Sequence, residues 1–123
     1  MAGERAPNDE DKPSLRERPI GEVASVLQEI LGQRLSAYAI GEPDPRRIGV
    51  FARDHETPGE EAEESLRDLA EVVDALTDQE VDPETIRAWM IGDNPLLDNA
   101  PIQAFHTGSH QEIVNAAECI GRT

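Results

Sequence analysis

His106 and His110 stand four residues apart, the spacing at which one helix face can offer two imidazoles to a metal ion. Gly108 and Ser109 fall between them and read as a helix stop followed by a helix cap, so the two rings straddle a boundary. No third ligand is near them in sequence, and the expectation is that the chain holds no metal. Cys119 is the only cysteine, which excludes a disulfide framework and a cysteine-based metal cluster. On a helix it reads as a small buried apolar side chain. No Ser sits in a Gly-x-Ser-x-Gly turn, and no Gly-rich loop could cradle a phosphate. Carboxylates are abundant, but those in residues 60–80 read as an exposed helical face. The expectation is therefore a protein with no catalytic residues and no cofactor, not an enzyme.

The other chemistry on offer is cationic. Arg46, Arg47 and Arg53 follow the turn EPDP and belong to one short helix, where they could contact phosphates or base edges. Residues 34–53 carry four Arg against Glu42 and Asp44, whereas residues 54–82 carry twelve acids against Arg67 alone. The whole chain has a formal net charge of -15, with Lys12 as its single lysine. A field of that sign repels nucleic acid and anionic membranes over most of the surface and attracts a basic partner. The N-terminus has no apolar run of the secretory kind, and no window is long and apolar enough to span a bilayer. These readings predict a cytoplasmic protein that does not enter a membrane.

Helices must position these residues. In GEVASVLQEILG, Val23, Val26, Leu27, Ile30 and Leu31 recur at helical spacing before Gly32. RLSAYAIG puts Leu35, Tyr38 and Ala39 on one face and stops at Gly41. Asp44 caps RRIGVFARD, whose Ile48 and Phe51 or Ala52 point inward. Ala62, Leu66, Leu69, Val73 and Leu76 form the stripe of a long acidic helix. Asp82 and Pro83 start a helix through TIRAWMIG, on which Trp89 reads as core. Asn94-Pro95 and Ala100-Pro101 are turns. PIQAFHTG is a short helix, and SHQEIVNAAECIG is the last, capped by Ser109 with Glu112 as its reciprocal partner. No alternating strand pattern occurs. The chain reads as all-α: a loose N-terminal tail over 1–19, a helical unit over 20–81, and a small helical module over 82–123. Within the first unit, the pair joined by EPDP has helix-turn-helix character, with Ala37, Gly41 and Ile48 as the small, turn and apolar positions.

In order and approximate spacing, Trp89, Asn94, Pro95, Leu97, Pro101, Ile102, Phe105, Thr107, Gly108, Val114 and Gly121 follow a known pattern. The segment VDPETIRAWMIGDNPLLDNAPIQAFHTGSHQEIVNAAECIG resembles the toxin-binding domain of Xre/MbcA/ParS-type antitoxins. The N-terminal half resembles that family's Xre-like helix-turn-helix. Val50 and Phe51 depart from it, standing where the family favours a basic residue and Trp. The resemblance implies an Xre-like helical bundle followed by a toxin-binding module. It implies an antitoxin that covers the active-site cleft of a RES-domain, NAD-degrading toxin. It also implies a homodimer or toxin–antitoxin hetero-oligomer, which binds its own operator through Arg46, Arg47 and Arg53. The partner-contacting residues it suggests are Asn94, Leu97, Pro101, Phe105, His106, His110, Arg122 and Thr123. The competing readings are a DNA-binding regulator without a toxin and a protein-interaction adaptor.

Overall fold

In the computed structural model, which describes residues 14–108 and 110–120, every regular element is helical. A single 3-10 turn, Leu15–Glu17, precedes seven α-helices: α1 Ile20–Ile30, α2 Gln33–Ile40, α3 Arg46–Ala52, α4 Glu60–Thr77, α5 Pro83–Ile91, α6 Pro101–His106 and α7 His110–Glu118. The expected Ser109 cap, residues 1–13 of the expected tail, Gly121, Arg122 and Thr123 lie outside the described residues. Among the described residues no helix is long and apolar enough to cross a membrane.

Local signals account for the boundaries. Gly41 ends α2 in the left-handed region at φ +79°, and Glu42 N–H bonds back to Ala37 O at 2.8 Å. A side chain at this φ would be strained, so glycine is the residue the turn needs. Asp44 Oδ1 accepts from Arg46 N–H at 3.1 Å and opens α3. Asp82 Oδ1 accepts from Thr85 N–H at 3.0 Å, with Pro83 in the first turn of α5. The first turn of α4 carries Glu60, Glu61 and Glu63, which suit the positive end of its dipole.

The long helix α4 is the axis of the fold. Leu66, Leu69, Ala70, Val72, Val73 and Leu76 are buried on it, and α1, α2, α7 and the 3-10 turn pack around it. Helix α3 lies against α1, where Gly49 permits a close approach. A Cβ there would stand 2.7 Å from Gln33 Nε2, which itself donates to Gln28 Oε1 at 2.7 Å. Helices α5 and α6 pack on each other, on α1 and on α2. One hydrophobic cluster runs from Leu15 to Ala117 without a break at residue 81, so 20–81 and 82–120 share a core. Polar clamps cross the same line: Arg87 Nη1 donates to Ile30 O at 2.8 Å, and Gln79 Nε2 donates to Ala117 O at 2.6 Å.

Three sequence expectations change. Residues 14–19 are docked rather than loose, because Leu15 is buried under α4 and Arg67 Nη1 donates to the carbonyls of Arg16 and Arg18. Tyr38 faces outward at 42% exposure, since the inner face of α2 is Ser36, Ala37 and Ala39, with Leu35 half-buried. Cys119 is exposed at the end of α7, where Ile113, Val114, Ala116 and Ala117 take the buried face. Trp89 is half-buried and packs against the core, while its helix neighbours Ile86 and Met90 are fully buried.

Candidate partner-binding surface

The segment from Asp93 to His110 divides into residues that build and residues that show. Pro101 and Phe105 are buried on α6 and supply packing beneath the surface. Leu97 is half-buried and packs against the core. Asn94 is the closing residue of a tight loop. Its N–H donates to Asn99 O at 3.0 Å, its backbone carbonyl accepts from Leu97 N–H at 3.0 Å, and its Oδ1 accepts from Leu96 N–H at 2.9 Å. Asp98 takes a left-handed conformation at φ +57° to complete the reversal. The result turns Leu97 inward and leaves Leu96 69% exposed. Sequence reasoning named Leu97 for contact; the exposed leucine is its neighbour, and the two are alike in a sequence until the loop's register is known.

Leu96 lines a groove of about 350 Å³ with Glu112, Asn115 and Ala116 of α7 and with Cys119 just beyond that helix. On another side of α6 and α7, an open cleft of about 470 Å³ lies between the end of α2, the middle of α4 and the α6–α7 turn. Both histidines line it, but they do different work. The exposed His106 ring stacks on Tyr38 with centroids 4.9 Å apart, and its Nδ1 lies 3.0 Å from Tyr38 O. A carbonyl only accepts, so Nδ1 is the donor in this contact. The partly exposed His110 packs edge-on to Phe105 and sends Nε2 to Glu71 Oε1 at 3.1 Å.

His110 does gain neighbours that sequence proximity could not reveal. Asp68, Glu71 and His110 each offer a ligand atom, all within 4.8 Å of one another. Arg16 already serves this cluster: Nη1 donates to Asp68 Oδ1 at 2.5 Å and Glu71 Oε1 at 3.3 Å, and Nη2 donates to Glu64 Oε2 at 2.9 Å. The hydrogen bond it donates to Asp68 holds the Arg16 guanidinium more firmly in its charged form. Nearby, Leu15 N–H donates to Asp74 Oδ2 at 2.9 Å, and burial pushes the Asp74 carboxyl above its usual range despite that bond. The cluster is thus an ion-pair node that fastens the 3-10 turn to α4.

The three arginines of the α3 region are partly engaged. Arg46 is 86% exposed at its side chain and forks onto both carboxylate oxygens of Asp44, each at 3.1 Å. Arg46 in turn holds the Asp44 carboxyl below its ordinary range. Arg47 lies 5.3 Å from the Phe51 ring centroid and pairs with Glu56 at 3.4 Å. Arg53 is exposed at the end of α3. No family model, curated protein or solved structure matches this chain.

Proposed function

We propose that this protein is an antitoxin that neutralises a RES-domain, NAD-degrading toxin by covering its active-site cleft with the segment from residue 93 to the C-terminus. The single observation that supports the reading is the division of labour in that segment. Pro101, Ile102, Phe105 and Val114 of the antitoxin-like pattern are buried, and a hydrogen-bonded loop leaves a large aliphatic side chain exposed beside them. An isolated exposed leucine is ordinary, but one fixed by a closed loop beside a groove is what a docking surface requires. The chain's acidity fits a partner whose cofactor site is lined by Arg. In this reading Arg122 and Thr123 extend the contact, and the working form is a homodimer or a toxin–antitoxin hetero-oligomer. The test is co-expression with a RES-domain protein encoded beside it. Rescue of growth, co-purification and suppressed NAD consumption are the expected results. A toxin that stays free and active in the presence of this chain would sink the reading.

A second reading, a regulator of transcription, has its own support. Ala37 and Ile48 are buried and Gly41 is left-handed, which are the demands of a helix-turn-helix, and Arg46 stands in the solvent. It predicts salt-sensitive binding to the chain's own promoter, lost when Arg46, Arg47 and Arg53 are all changed to Ala. An unshifted promoter fragment at low salt, with and without the toxin, would remove it.

A further inference from the structure

The groove under Leu96 has a chemistry of its own. Its apolar wall is Leu96 itself, with Ala116 of α7 and Cys119 just beyond that helix. Its polar wall is Glu112 and Asn115, and both are exposed. Between Arg87 and Arg122 the chain contains no Lys or Arg, while Asp93, Asp98, Glu112 and Glu118 are all exposed. An apolar notch with a carboxylate in its wall, on a chain of net charge -15, discriminates between partners. An acidic or neutral segment gains the apolar contact alone, whereas a basic one gains the Coulomb attraction as well. The notch is also short, set between one loop and two turns of α7, which suits one or two apolar side chains rather than an extended strand.

We infer that this groove seats an amphipathic helix of the partner, with one or two large apolar residues under Leu96 and Arg or Lys residues flanking them. The inference deepens the binding reading above and rests on it only in taking the C-terminal segment as partner-facing. Leu96 is the central anchor, fixed at low entropic cost because Asn94 and Asp98 have already ordered its loop. Glu112 and the loop aspartates supply the surrounding field, and the helix-in-groove mode makes the contact through residues at i, i+3 and i+4.

The test uses the full chain, labelled with nitrogen-15, and a synthetic amidated helical peptide. The peptide carries Leu at i and i+4 on one face with Arg on either side. Titration is expected to give saturable shifts at Leu96, Ala116 and Cys119, and the affinity is expected to fall with added salt. Leu96→Ala, whose side chain carries no core contact, should weaken binding about tenfold. Glu112→Lys should weaken it too, and a peptide with Glu in place of Arg should bind far more weakly. Alkylation of Cys119 with a bulky maleimide should block the groove. Absence of saturable shifts, equal binding of the Glu peptide, or indifference to Leu96→Ala would overturn the inference. So would self-association of the chain that Leu96→Ala abolishes, since the occupant would then be a second copy. A toxin that co-purifies equally with wild type and Leu96→Ala removes this groove while leaving the antitoxin reading intact. A toxin ignored by a wild type that still binds the Arg peptide removes the antitoxin reading alone.

Discussion

At the level of single residues, burial separates neighbours that look equivalent on paper. Met90 is fully enclosed and Leu96 stands in solvent. Met90→Ala should cost about 2–5 kcal/mol, because it leaves a hole as well as losing transfer free energy. Leu96→Ala should stay within about 0.5 kcal/mol of wild type. Urea unfolding followed by Trp89 fluorescence will show both. Asp74 makes a pH prediction. Its carboxyl titrates higher in the folded chain than in the unfolded one, chiefly through burial, so the folded state holds this proton more tightly. The contribution of Asp74 to stability therefore falls as pH rises through the carboxylate range. Asp74→Asn keeps an acceptor for Leu15 N–H and removes the buried charge. It should raise the melting temperature at neutral pH and leave it nearly unchanged at acidic pH; a lower value at neutral pH would contradict this account.

At the level of elements, helix positions were legible because they rest on local periodicity and punctuation. Gly32, Gly41, Asp82-Pro83 and Ala100-Pro101 mark ends that need no knowledge of tertiary structure. The 3-10 turn was not legible, and the reason is range. Leu15 is one apolar residue in a charged stretch, and the groups that hold Arg16 lie 48 to 55 residues further along the chain. The outward turn of Tyr38 was missed for a similar reason: His106 covers it from a distant helix. Arg16→Ala tests the node directly. It takes from Glu64, Asp68 and Glu71 the guanidinium that joins them. The loss should be about 1 kcal/mol at low ionic strength, given the partial exposure of these groups. It should shrink in about 1 M salt, where repulsion among the carboxylates is screened. Parallel thermal melts at the two salt levels measure it.

At the level of the molecule, one hydrophobic cluster crosses the boundary expected at residue 81. The core continues across it, and α7 completes the face of α4 that the earlier helices leave open. A fragment starting at residue 82 should therefore lack the dispersed amide spectrum of a folded domain. The whole chain should lose far-ultraviolet ellipticity and Trp89 fluorescence in one coincident transition. Two separate transitions would restore the two-unit picture. The candidate surface was half legible. Its location in 93–110 was suggested by the family resemblance, but the sorting of that segment into buried and displayed residues depends on a loop register that periodicity does not encode.

That register gives the Asn94–Asn99 loop an unusual kind of sensitivity. Its two leucines are adjacent, and the bonds made by Asn94 decide which one enters the protein and which one stands in solvent. Adding or deleting one residue between the two asparagines would exchange their fates without altering hydrophobicity, charge or composition in any way that matters. Among descendants of this chain, the count of residues in the loop should be held more strictly than their identities, and a change in that count should mark lineages that have changed their company.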